Sequence, residues 1–224
     1  NAKISSASTS MGIVCLMLLL AIGALSCGFS LHHSLVDSVD QTTPYMYTYM
    51  QDENISEEAM KQLLNVQKAK RWNRVNVYTD RDTLKAILPL MEDYDTGKLY
   101  AGAPLEYISV SDYNKAMESQ GNKPVSIHNK EAFFISAKED ILDALTAVGD
   151  AHKTISVYGH KLKLVNARET SSFLCTSPMP EIMLAVVVPD AVVQSKAPVR
   201  TYWNIDLARE AQVSAYQARV EKNI

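Results

Sequence analysis

Cysteine is scarce in this chain. Two of its three cysteines, Cys15 and Cys27, fall in one apolar stretch, which leaves Cys175 alone in the remainder. No disulfide can staple that remainder, so its stability has to come from a packed core, and Cys175 reads as a small buried apolar residue. Charge of either sign is missing from Met11 to Leu31, MGIVCLMLLLAIGALSCGFSL, where Ser26 and Ser30 are the only hydroxyls. A strong basic excess is missing as well. The net charge is −3, with Lys3 the one basic group before residue 32 and every acid after it. That balance offers no basic stripe for nucleic acid. The short motifs of common chemistry are also absent. Gly97-Lys98 runs into Leu99 without the earlier glycine of a phosphate loop, and there is no GxGxxG, GxSxG or HExxH. No internal repeat and no low-complexity linker interrupts the sequence.

What is present begins with the apolar stretch. At about 1.5 Å of rise per residue, 21 residues make a helix roughly 30 Å long, the thickness of a bilayer hydrocarbon core. The stretch has no polar face, which argues against a buried helix of a soluble fold. Lys3 lies before it, whereas Asp37 and Asp40 follow it with no Lys or Arg nearby. The positive-inside bias then places residues 1–10 in the cytoplasm, Met11–Leu31 across the membrane, a connector over 32–43, and an extracellular domain over 44–224. Two other readings stand beside this one. A secretory signal would need a shorter apolar core. Ala24-Leu25-Ser26-Cys27 also ends a small-residue run in cysteine, so a lipid on Cys27 would make the domain an anchored lipoprotein or binding protein instead.

The domain reads as α+β, with mixed sheets and packed helices. Residues 32–43 continue helically from the membrane. Tyr45 to Met50 alternates as a strand with Tyr45, Tyr47 and Tyr49 on one buried face. Glu57 to Lys70 is expected as a helix capped by Asn54 or Ser56, with Met60, Leu63, Leu64 and Val66 inward. A strand follows over Arg74 to Tyr78, then a short helix through Leu84, Ile87, Leu88 and Met91 that breaks or kinks at Leu88, because Pro89 removes a backbone donor. Leu105 to Val110 is a strand, and Ser111 is expected to cap a helix with Tyr113, Ala116 and Met117 inward and Gly121 as its left-handed stop. Ala132 to Ala137 is a strand, followed by a helix over Asp140 to Ala147. Thr154–Tyr158 and Lys161–Val165 suggest a hairpin around Gly159-His160 with a type II′ turn. Residues 171–180 read as loop. Glu181–Val188 is a buried strand turning at Pro189-Asp190, and Val199–Ile205 is the next. Asp206 is expected to cap a last helix over Leu207–Val220 that carries Ala208, Ala211, Ala215 and Ala218.

Candidate chemistry is thin. His32-His33 are adjacent where the membrane would end, His160 sits in a turn, and His128 and His152 have no partner at ligand spacing. Glu57-Glu58 and Glu92-Asp93 read as exposed helix acids. Trp72 and Trp203 read as core or interface aromatics rather than a ligand platform. No catalytic, cofactor-binding or metal-ligating residue is assigned.

The opening Asn1-Ala2-Lys3-Ile4, the span containing Val14-Cys15-Leu16-Met17-Leu18, and the unit Ile108-Ser109-Val110-Ser111-Asp112-Tyr113-Asn114 with Gly121, Pro124 and Glu131–Phe134 resemble the FtsX-like permease family of ABC transporters, in the version common in Gram-positive bacteria. The resemblance covers the span and most of the domain, and its motifs are structural rather than catalytic. It implies a separate cytoplasmic ATPase as partner, membrane lipid around the helix, and a peptide, lipid or protein ligand for the outer domain. It implies no enzyme activity and no cofactor of the chain's own. Since a whole permease has several spans, the chain is expected to be a segment of one.

The orientation is testable with single cysteines at positions 5 and 38 of an otherwise cysteine-free chain. An impermeant maleimide added outside cells is expected to label Ser38→Cys and not Ser5→Cys; the reverse pattern would contradict the flanking-charge reading.

Overall fold

Valines, isoleucines and aromatics concentrate in short runs after residue 44, and those runs are the strands of one sheet. A computed structural model of the chain describes residues 2–42, 44–51, 55–83, 87, 89, 102, 104–136, 139–151, 153–169, 184–208 and 213–223. The chain divides into two units, Asn1–Gln41 and Thr42–Ile224. The first is helix α1 (Ala2–Thr42), continuous over 41 residues. Within it Ile13–His32 is long and apolar enough to cross a membrane, and no part of that segment is buried. Large apolar side chains all round it, such as Leu19 and Phe29, are exposed, as a lipid-facing helix requires.

The second unit is α+β. Its strands are β1 (Tyr47–Gln51), β2 (Arg71–Thr83), β3 (Pro104–Ser109), β4 (Glu131–Ser136), β5 (Thr154–Val157), β6 (His160–Glu169), β7 (Leu184–Val188) and β8 (Arg200–Asp206). They form one mixed sheet in the order β1-β8-β2-β3-β7-β4-β6-β5. Pairs β3/β7 and β4/β6 are parallel and the other five are antiparallel. The helices are α2 (Glu57–Leu63), α3 (Val110–Ser119), α4 (Glu139–Asp150), the single turn α5 (Asp190–Val193) and α6 (Val213–Asn223).

Alternation along the strands sorts the core into two faces. On one face α3 buries Tyr113, Ala116 and Met117 against Val75, Val77, Ile108, Val187 and Tyr202. On the other, Ile141, Leu145 and Val148 of α4 cover Tyr107, Phe134, Val186 and Leu164. A third cluster joins Met60 of α2 and Leu64 at its C-cap with Tyr216 and Val220 of α6 over Trp203 and Ile205. Register puts Trp203 opposite Arg74, and Tyr78 opposite Tyr107, so this third cluster shares the α4 face at the opposite end of the sheet.

Local geometry revises several boundaries. The expected helix over Glu57–Lys70 ends at Leu63, because Asn65 takes the left-handed conformation (φ 46) and a 3₁₀ turn, Val66–Lys68, follows. Its cap is Ser56, which accepts from the Ala59 amide. The cap of α3 is Ser109, not Ser111: the Ser109 side chain accepts from the Asp112 amide, so Val110 is already helical. Gly121 takes the expected left-handed stop. The hairpin loop is Tyr158-Gly159, since Val157 pairs with His160. Both loop residues have positive φ, which is a type I′ rather than a type II′ turn. Asp206 lies in β8 instead of capping a helix, and α6 begins at Val213 with Ala215 and Ala218 outward. Tyr45 is buried but precedes β1, while Tyr47 and Tyr49 are half-buried. One glycine is set by a close approach: a Cβ on Gly149 would lie 2.6 Å from the Val165 carbonyl oxygen, so α4 can rest on β6 only with glycine there. The expected loop over 171–180, and all but Ile87 and Pro89 of the expected short helix near Pro89, lie outside the described residues.

Met117 is 8 % exposed and sits under α3. Met117→Ala is expected to lower unfolding free energy by about 2–5 kcal/mol, read from the denaturation midpoint. An unchanged midpoint would mean that α3 is not packed on the sheet through this residue.

Candidate functional site

The α4 face is covered at both ends and, among the described residues, carries no helix over its middle. A cleft of about 340 Å³ lies there, lined by Gln51, Ile55, Glu57, Arg74, Asn76, Ala197–Thr201 and Trp203. Its floor follows from register. Antiparallel pairing of β2 with β8 sets Arg74 beside Trp203 and Asn76 beside Thr201. One wall is the start of α2, where the Ser56 cap positions Glu57 in the first turn. The other wall is the connection from α5 into β8.

Three charges close the α2 side. Arg74 Nη1 donates to Glu57 Oε2, and Lys61 Nζ lies 2.5 Å from Glu57 Oε1, one helical turn along. The Lys61 hydrogen bond, and then the Arg74 charge, hold the Glu57 carboxyl below its ordinary range. Beneath them an aromatic stack carries the cations. The Arg74 guanidinium sits 5.8 Å from the Trp203 ring, Trp203 stacks on Trp72 with centroids 5.8 Å apart, and Lys61 lies 5.6 Å from Trp72. The buried Trp203 indole donates to Gln51 Oε1 at 2.9 Å.

Asn76 ties the floor to α3. Its Oδ1 accepts from the Thr201 hydroxyl at 3.0 Å, while its backbone N–H and Nδ2 both donate to Asp112 Oδ2 at 3.0 Å. The Asp112 carboxylate thus continues the β2 ladder past the end of β3. Burial raises the Asp112 pKa above the ordinary carboxylate value, against the opposing pull of these hydrogen bonds and of Lys115. Next to it the parallel strands β3 and β7 end together, and Asp190 accepts from both the Ser111 backbone N–H and the Ser111 hydroxyl.

A second polar cluster fastens the start of the domain. Arg71 Nη2 donates to the Pro44 carbonyl at 2.9 Å, Arg71 Nε pairs with Asp206, and the Met46 amide donates to Asp206 Oδ1 at 3.0 Å. Asn73 Nδ2 donates to the Tyr45 hydroxyl at 2.6 Å, and the buried Asn204 donates to Asn73 at 2.9 Å. This is where Asp206 is used in place of the expected helix cap.

No protein-family model and no curated protein matches this chain.

The candidate residues of the sequence scatter. Among the described residues no three His, Cys, Asp or Glu gather as metal ligands. His32, His128 and His160 are exposed and none lines the cleft. Cys175, His152 and Glu92-Asp93 lie outside the described residues. Glu58 is exposed as expected, but Glu57 is a partly covered member of an ion triad. Trp203 is 1 % exposed and Trp72 37 %: Trp203 is core, yet it also floors the cleft. Sequence reading passed over Arg74 and Asn76. Their signal is the alternation Arg74-Val75-Asn76-Val77, which places two polar groups on a face whose flanking positions in the sheet are apolar.

The raised Asp112 pKa gives a pH-dependent prediction. The unfolded chain loses this proton at lower pH than the folded chain. Stability contributed through Asp112 therefore falls as pH rises from about 4, its unfolded value, to the raised folded value, and is flat above that. Asp112→Asn keeps an acceptor for Asn76 and removes the charge. Its stability relative to the parent chain is expected to improve with rising pH across that window, measured by urea unfolding at several pH values. A difference that does not change with pH would contradict the assignment.

Proposed function

We propose that this chain is a segment of an ABC transporter permease of the FtsX-like kind, and that its domain lies outside the cell and couples a ligand or partner to the membrane helices. The observation that carries the reading is an apolar helix of membrane length that precedes a folded α+β domain. Helix α1 continues without a break from the apolar segment to Thr42, and the domain is hydrogen-bonded to its own sheet from Pro44 onward. A stiff connection would transmit helix displacement to the domain, whereas a flexible Gly/Ser linker would dissipate it.

In this reading a separate cytoplasmic ATPase supplies nucleotide binding and hydrolysis, and membrane lipid surrounds Met11–Leu31. The domain contributes no turnover of its own. It works by contact that differs between two postures of the assembly. A ligand that prefers one posture biases the helix, and ATP-driven movement of the helix changes ligand affinity by the same coupling energy, typically about 1–3 kcal/mol. The resemblance of Ile108–Asn114 and the apolar span to permease segments supports the assignment of the motor.

Inserting a Gly-Ser stretch after Val39 of the complete transporter is expected to abolish ligand-stimulated ATPase activity or resistance while ligand binding to the domain persists. Normal coupling at normal expression would count decisively against action through this connection.

A further inference from the structure

The cleft on the α4 face offers one polar group with capacity to spare. Gln51 accepts from Trp203 and donates to the Ile55 carbonyl. Asn76 is engaged through its amide oxygen, its Nδ2 and its backbone N–H. Glu57 is held by both Lys61 and Arg74. Arg74 differs. A guanidinium carries five N–H donors, and among the described residues its one hydrogen-bonded partner is Glu57, through Nη1. Nε and Nη2 have no acceptor among the described residues. The side chain is 30 % exposed, so water meets it on the cleft side.

The Asp112 carboxylate is within electrostatic reach of Arg74, but the nearer charges leave an excess of cation. Glu57 is offset by Lys61 as well as by Arg74, so the triad carries a net positive charge. The other arginine of the cleft, Arg200, projects with Tyr202 to the opposite face of the sheet. There it donates to the Tyr202 hydroxyl and approaches Glu106. Arg74 is therefore the cation of the cleft floor. Beside the polar groups Gln51, Asn76 and Thr201, the lining has an apolar part: the Trp203 ring lies below, with Ile55 on one side and Ala197, Pro198 and the half-exposed Val199 on the other. At about 340 Å³ the space suits one small amphipathic group.

The geometry points to a carboxylate-binding site in which the free donors of Arg74 take a planar carboxylate whose apolar substituent packs between Ile55 and Ala197–Val199. The planar fork matches two carboxylate oxygens better than it matches a diffuse charge. Inorganic phosphate would share the charge but leave the apolar wall unfilled. A free acid or the end of an acidic chain would supply both features. This assignment names a ligand class for the domain and rests on its proposed coupling role only for its purpose. A binding measurement needs no ATPase, so the site and the transporter reading fail separately.

The test uses the full chain in nanodiscs of zwitterionic lipid, with N-acetylleucine as probe and tryptophan fluorescence with ligand-observed NMR as readouts. Saturable millimolar binding is expected, with N-acetylleucinamide and inorganic phosphate at least about tenfold weaker. Arg74→Gln is expected to weaken the acid about tenfold or more. Glu57→Gln releases Nη1 and removes the nearest negative charge, and is expected to tighten binding about threefold. Where Arg74→Gln fails to fold, as judged by circular dichroism, Glu57→Gln decides. No saturation by the acid, equal binding of amide or phosphate, or unchanged or weaker binding by Glu57→Gln would overturn the site.

Discussion

Burial on both faces of the central strands governs this domain. All five residues of β7, Leu184–Val188, are buried. The strand lies between β3 and β4, whose apolar residues also point both ways. A strand with no solvated face forces a helix layer onto each side of the sheet. Helix α3 supplies one layer and α4 the other. The parallel pairs β3/β7 and β4/β6 fit the same constraint, because the chain leaves each edge through a covering helix. Toward β1, β8 and β2 the burial is sustained differently. Alternation returns along Arg71–Val77 of β2, polar Asn73, Asn204 and Thr201 enter the interior, and hydrogen bonds between side chains replace part of the apolar packing.

That change of character creates the features of interest. Where apolar coverage from α4 stops and coverage from α2 and α6 has not yet begun, the sheet floor is polar and a cleft opens. On the opposite face of the same strands, Asn73 and Asn204 meet Tyr45 and fasten the first residues of the domain. Thus β2 and β8 carry the cleft floor on one face and the tether on the other, and adjacent residues of β2, Asn73 and Arg74, serve the two. A shift of either strand would be felt at both places.

The polar groups in this region are satisfied in pairs, which makes their number tolerable. Buried Asn73, Asn204 and Asp112 each have named partners, and an unmatched group there would cost about 1–3 kcal/mol. Asp112 illustrates the balance: two N–H donors favour its charged form, and burial outweighs them. Paired satisfaction also explains why Arg74 stands out. Most polar neighbours in the cleft are engaged by adjacent strands or helices, whereas a guanidinium has more donors than one carboxylate can take.

Much of the architecture was legible along the chain. The uncharged run Met11–Leu31 reads as a helix of membrane length from composition alone. The inner face of α3, the buried run ending at Val188 and the stop at Gly121 follow from periodicity and glycine chemistry, because these depend on residues within a few positions. What misled was local ambiguity. Ser109 and Ser111 are both good caps, and only the packing of Val110 in the first turn selects the former. Tyr158-Gly159 and Gly159-His160 both suit tight turns, and the pairing of β5 with β6 decides between them. Asp206 is a fine cap in isolation, but Arg71, far away in sequence, claims it for the sheet. The sequence by itself determined the apolar helix, the α+β class and most of the core. The strand order, the cleft between covered ends and the partnership of Arg74 with Glu57 were decided by tertiary structure. They are set by which strands become neighbours, a relation between distant residues that no local period encodes.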